Sequence, residues 1–191
     1  MIIYIHGFNS SPQSYKACLL HQRLQSLQRV AEFACPALSH RPAAAMAQLE
    51  SLVAMSPGPI TLIGSSLGGF YATYLAETVG TRAIVVNPAI TPQVGLRAHL
   101  GPQRNLYTGD SYELSEQHLR ELASFYIPQL TKLERYFLMA ATGDEVLAYR
   151  DAMQRYAGAR QLIVHGSDHG FADFADYLDH VLDFADQPAA S

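Results

Sequence analysis

Cysteine is scarce in this 191-residue chain: Cys18 and Cys35 are the two it has, and no Cys-x-x-Cys pair exists. Two such thiols read as buried and reduced, packing as small hydrophobes, and neither a zinc site nor a redox motif is indicated. Charge is sparse as well. Charged residues make up 16% of the chain, thirteen basic against seventeen acidic, for a formal charge of −4. No basic run stands out, which argues against a nucleic-acid surface and gives no reason to expect an anionic-membrane patch. No apolar run approaches the ~20 residues needed to cross a bilayer. The opening Met1-Ile2-Ile3-Tyr4-Ile5-His6-Gly7 lacks the basic start, long apolar stretch and small-residue cleavage site of a signal peptide. The expectation is a cytoplasmic protein. Polar low-complexity tracts are absent too, so disorder is expected only at the end, Gln187 to Ser191.

What is present is a composition 49% hydrophobic, with length for one compact domain over residues 1–191. Short apolar runs alternate with helical patterns. Strands are expected at Ile2 to Ile5, Val30 to Cys35, Ile60 to Ile63, Ala83 to Val86, Tyr136 to Ala140 and Leu162 to Val164. Helices are expected around Leu20, Leu24 and Leu27, over Ala43 to Met55, Phe70 to Val79 and Glu145 to Tyr156, and finally from Phe171 to Ala185. Continuous apolar strands alternating with helices imply an α/β architecture, a six-stranded parallel sheet covered on both faces. Ile90 to Lys132 breaks the rhythm. It is too long for an ordinary connection and reads as a cap-like excursion over one end of the sheet, with a short amphipathic helix through Leu119, Leu122, Ala123 and Tyr126.

Gly64-Ser65-Ser66-Leu67-Gly68 fits Gly-x-Ser-x-Gly, with a strand pattern before it and a helix pattern after it. That chemistry needs a serine on a tight strand-to-helix turn, flanked by glycines that relieve crowding, with its hydroxyl exposed. The register puts Ser66 at the apex and Ser65 at the x position. The helix N-terminus behind it favours developing negative charge. His6-Gly7-Phe8 closes the first strand on the same side of the sheet. The backbone N–H of Phe8 can therefore join that of Leu67 in an oxyanion hole, while His6 reads as structural. Of eight histidines, His169 lies in a loop after the last strand and is the expected base. Thr-Gly-Asp occurs twice, ending at Asp110 and Asp144, and only the second copy follows a strand pattern. Asp144 is thus the expected acid, and the chain order Ser, Asp, His is that of α/β-hydrolases.

The blocks HGFNSSP, GSSLGGFYA, TGDEVLAYRDA and GSDHGF, in that order, resemble the small bacterial YqiA-type esterases of the α/β-hydrolase superfamily. The resemblance covers nearly the whole chain. It implies a trimmed α/β-hydrolase fold with the first strand inside the sheet, and carboxylic-ester hydrolysis with Ser66, Asp144 and His169 as the triad. Acyl-CoA thioesters are a second implied substrate class, and a catalytically idle ligand-binding homologue is the contrasting expectation. No cofactor or metal is implied. A small acyl ester or thioester is the expected partner, with neither nucleic acid nor membrane. Leu119, Leu122, Phe125 and Tyr126 are the expected wall of the substrate site. An excursion of about forty residues is too small for a large lipase lid, so short soluble esters are expected over triglycerides.

Overall fold

The structure is a computed structural model that describes residues 1–105 and 107–187, so four of the five terminal residues expected to be disordered lie outside the described residues. The chain runs through β1 (Ile2–Ile5), α1 (Tyr15–Ser26), β2 (Phe33–Ala34), α2 (Pro42–Met55), β3 (Thr61–Ser65), α3 (Leu67–Val79) and β4 (Arg82–Val86). The excursion follows, with α4 (Pro92–Gly95), β5 (Gly101–Arg104), β6 (Ser111–Leu114) and α5 (Glu116–Ser124). The chain then returns through β7 (Tyr136–Ala141), α6 (Tyr149–Arg155), β8 (Arg160–Val164) and α7 (Leu178–Ala185).

Six strands form one parallel sheet in the order β2-β1-β3-β4-β7-β8, and β1 is internal as expected. Alternate side chains sort to the two faces. Ile3, Ile5, Leu62, Val85, Leu138 and Ala140 pack against α2, α3 and α6. Ile2, Tyr4, Ile63, Ile84, Val86, Phe137 and Met139 pack against α1 and α7. Both faces are covered, which is why these strands carry no polar alternation. No helix among the described residues is long and apolar enough to cross a membrane.

Element boundaries differ from expectation where a side chain seizes backbone donors. Val30–Glu32 forms a tight helical turn, closed by the Arg29–Glu32 ion pair, and leaves only Phe33–Ala34 as strand. The helix expected from Glu145 starts at Tyr149, because Asp144 Oδ1 accepts the Val146 and Leu147 N–H groups at 2.8 Å each. The final helix starts at Leu178 rather than Phe171. Phe171 has φ +55°, and its ring and that of Phe174 are both fully buried. Within the excursion, β5 and β6 form an antiparallel hairpin that was not expected: β6 alternates over only four residues, Ser-Tyr-Glu-Leu, and β5, Gly-Pro-Gln-Arg, shows no such pattern.

Candidate active site

The site lies at the carboxyl ends of β1, β3, β4, β7 and β8. Ser66 sits between β3 and α3 at φ 55°, ψ −118°, a conformation side chains resist. Neighbouring backbone holds it there. Ser66 N–H donates to the Val86 carbonyl at 3.0 Å, and the Ser66 carbonyl accepts from Gly69 and Ala89. The flanking glycines are sterically required. A Cβ on Gly64 would overlap the Gly68 carbonyl, and a Cβ on Gly68 would overlap the Ile5 carbonyl of β1. Ser65, in contrast, is buried at the end of β3.

Ser66 Oγ lies 3.1 Å from His169 Nε2, and His169 Nδ1 lies 2.9 and 3.0 Å from the two Asp144 oxygens. A carboxylate there fixes the tautomer: Nδ1–H donates to Asp144, leaving Nε2 to accept the serine O–H. The Asp144 side chain is 2% exposed. Burial alone would raise its pKa. The His169 bond and the Leu147 and Val146 N–H groups outweigh that, and the carboxyl is held below its ordinary range.

The two Thr-Gly-Asp copies serve different ends. In the second, Thr142 Oγ1 accepts the Gly166 N–H, and Gly143, free of a Cβ, lets the Ser167 carbonyl pass. The acid loop and the histidine loop are thereby clamped together. The first copy forms the turn of the β5–β6 hairpin, and its Asp110 makes no contact with His169.

Two positioning residues escaped sequence reasoning. Asn87, directly after β4, is 3% exposed at φ 41°. Its amide nitrogen donates to the Asp168 and His169 carbonyls at 3.0 and 3.2 Å, while its oxygen accepts the Ala141 N–H at 2.9 Å. It ties the histidine loop to β4 and β7. Lys16, on α1, donates from Nζ to the Gly170 carbonyl at 2.5 Å beneath the same loop. Burial pushes its pKa down to about 8, against the opposing pull of Asp168 and Asp144. In the sequence, an Asn-Pro pair closing an apolar strand and a lysine beside the apolar residues of a helix are the signals that mark them.

His6 is structural. Its Nδ1 donates to the Gly7 carbonyl and its Nε2 accepts the Leu38 N–H. Burial lowers its pKa, keeping the ring neutral as that pattern requires. Gly7 stands directly against Ser66, where a Cβ would come within 3.3 Å of the serine Cβ. Leu67 is the first residue of α3, where the N–H has no intrahelical acceptor.

A cavity of about 550 Å³ opens over Ser66 and His169, lined by Phe8, Leu67, Pro88, Ile90, Leu96, Val146 and Leu147 among others. Its wall is the start of the excursion and the loop after Asp144. The four expected wall residues are elsewhere. Leu119 and Leu122 are buried, Leu122 in the core beneath the sheet. Phe125 packs edge-on to Tyr74, and Tyr126 lies under Arg155. Leu119 and Leu122 lie on α5 and face inward, because an amphipathic helix buries its apolar face, and Phe125 and Tyr126 lie beyond the end of that helix.

A parallel six-stranded sheet with a strained serine turn, an acid loop and a histidine loop in that order defines the α/β-hydrolase fold. Solved structures agree at the level of fold. Mouse α/β-hydrolase domain-containing protein 10 superposes with TM-score 0.70 at 16% identity, over 95% of this chain and 89% of that one. Est1E from Butyrivibrio proteoclasticus gives 0.70 at 12% identity, over 97% and 88%. A metagenome-derived lipolytic enzyme of the LipS and LipT pair gives 0.67 at 15% identity, over 96% and 92%. Within that class, the chain belongs to UPF0227, described as an uncharacterised protein family, which matches residues 1–186. A UPF0227 protein of Pectobacterium atrosepticum is 32% identical over 95 residues, 49% of this chain and 53% of that one. One from Vibrio cholerae is 26% identical over 102 residues, 52% and 57% respectively. These matches span about half the length of the relatives.

Proposed function

We propose that this protein is a serine esterase that hydrolyses carboxylic esters with short, soluble acyl groups. The observation that carries this reading is the unbroken hydrogen-bonded chain from Ser66 Oγ through His169 to Asp144, opening on an apolar cavity. Ser66 Oγ attacks the ester carbonyl carbon while His169 Nε2 takes its proton. The C–O bond to the alcohol breaks, His169 returns the proton to the leaving oxygen, and the acyl group stays on Ser66. Water then attacks the acyl carbon, giving its proton to His169, and Ser66 regains that proton as the acid departs. Asp144 holds the imidazole in the tautomer that can accept, and stabilises the imidazolium. The Phe8 and Leu67 N–H groups hold the oxyanion. Lipolytic chemistry in a neighbour of the same fold supports the reading.

A fluorophosphonate probe, with Ser66→Ala and Ser65→Ala variants, tests it. Ser66 takes the label, and Ser66→Ala loses it together with p-nitrophenyl acetate hydrolysis, by ~10⁴-fold or more, while remaining folded. Ser65→Ala keeps substantial activity. A wild-type protein that neither labels nor hydrolyses any ester or acyl-CoA thioester is a ligand binder, and the proposal falls.

A further inference from the structure

A second cleft, of about 260 Å³, adjoins the first, and Phe8 and Leu67 are the two residues common to both linings. Its chemistry differs. The larger cavity is walled by Pro88, Ile90, Leu96, Val146 and Leu147. The smaller one presents Asn9, Ser10, Ser39, His40, Asp110 and Tyr112. Among its described lining residues Asp110 is the one acidic side chain, and no lysine or arginine is present. Asp110 is exposed at the mouth of the cleft, and its carboxylate has no hydrogen-bond partner among the described residues, so it is free to bind a ligand there.

The wall is built in, not a loose flap. Tyr112 Oη donates to Asn9 Oδ1 at 2.8 Å, Asn9 Nδ2 donates to Gln103 Oε1 at 3.1 Å, and Asn105 Nδ2 donates to the Ser10 carbonyl at 2.9 Å. The β5–β6 hairpin is thus fastened to the segment that carries Phe8. The His40 ring stacks on Tyr112 at 4.3 Å, giving the cleft an aromatic side.

We infer that this cleft is an acyl subsite for an acid portion ending in a neutral hydroxyl group. The inference rests on the esterase reading above. His169 must protonate the leaving oxygen, so the alcohol portion belongs in the cavity that contains His169. Gly7, which lines the smaller cleft, stands directly against Ser66, so with the carbonyl oxygen at Phe8 and Leu67 the acyl chain on Ser66 is left the smaller cleft. Its volume equals roughly nine waters at ~30 Å³ each, room for a chain of a few carbons. An acyl chain ending in a hydroxyl can donate to Asp110 and accept from the serine, asparagine or tyrosine groups. A carboxylate end would face Asp110 without a cation to offset it.

The test holds the alcohol constant and varies the acyl end: methyl hexanoate, methyl 6-hydroxyhexanoate and monomethyl adipate, followed by pH-stat. The expected order of kcat/KM places the hydroxy ester about tenfold above the hexanoate, as for a lining built to hydrogen-bond a hydroxyl, and the adipate below both. Asp110→Ala then lowers the hydroxy-to-alkyl ratio about tenfold, and Asp110→Asn improves relative use of the adipate. A hydroxy-to-alkyl ratio of one or less, or a ratio unmoved by Asp110→Ala, overturns the subsite while the esterase reading stands. If no ester turns over and Ser66 takes no fluorophosphonate, both fall together.

Discussion

The side chain of Asn87 joins three loops through one amide: its own β4 turn, the end of β7 and the His169 loop. Replacing it by leucine removes both donors to the histidine loop and strands the buried Ala141 N–H. A stability loss of ~1–3 kcal/mol follows from that unsatisfied group. Because the bonds fix where His169 sits rather than where substrate binds, kcat should fall by ~10–100-fold with KM moving little. Steady-state kinetics on p-nitrophenyl acetate decide this, and a kcat within twofold of wild type would remove Asn87 from the positioning scheme. Lys16 makes a different kind of prediction. Its native pKa is about 8, against ~10.4 for an unperturbed lysine. Between those values the unfolded chain binds a proton that the folded chain does not, so folded stability gains with rising pH. Below about pH 8 the cost of the buried ammonium is fully present. In denaturant titrations from pH 7 to 10, wild type should gain stability relative to Lys16→Met as pH rises. A constant difference would show that Lys16 titrates normally.

At the scale of elements, the contact between β1 and α3 is what brings Phe8 and Leu67 to the cavity that Ser66 lines. Gly68 permits it, since any Cβ there meets the Ile5 and His6 carbonyls. Gly68→Ala must therefore push the helix off the strand. Overpacking of this kind costs ~1–3 kcal/mol, or roughly 3–10 °C in Tm for a domain of this size, and esterase activity should fall with it. Gly95→Ala is the stability control. A Cβ there meets nothing within 4 Å, and calorimetry should find its Tm unchanged or higher. Equal Tm values for the Gly68 variant and wild type would mean that helix and strand can separate freely.

Taken whole, the molecule devotes its excursion to two short walls and a core-facing helix. Val94, Leu100 and Tyr107 are the large apolar side chains the described excursion exposes, and of these only Val94 joins Val146 in lining the cavity. The excursion therefore offers little apolar surface to an oil–water interface. Across p-nitrophenyl esters of increasing acyl length, kcat/KM should rise by no more than ~0.8 kcal/mol per CH₂ and stop rising within a few carbons. Emulsified triglyceride should give no jump in rate above its solubility limit. A steady rise to long chains with interfacial activation would show that the walls open into a lipase site.

The sequence alone determined the alternation of strand and helix and the internal place of β1, and it pointed to Ser66 rather than Ser65 as the apex of the turn. These follow from local rules: apolar runs long enough for a strand, glycines at fixed offsets around a strained turn, and loops at the carboxyl ends of parallel strands. It also separated Asp144 from Asp110, because one copy of Thr-Gly-Asp follows a buried strand and the other does not. Tertiary structure decided what periodicity cannot encode. The direction in which α5 turns its apolar face depended on the sheet and helices around it, so Leu119, Leu122, Phe125 and Tyr126 left the substrate wall to Ile90, Leu96, Val146 and Leu147. The β5–β6 hairpin is held by side-chain bonds to residues more than ninety positions away; β6 alternates polar and apolar residues over only four positions, and β5, Gly-Pro-Gln-Arg, carries no apolar side chain but proline to match it. Asn87 and Lys16 acquire their roles from carbonyls of a loop about eighty and one hundred and fifty residues distant. A hydrogen bond over such a separation leaves no period in the sequence, and only the folded chain brings its two ends together.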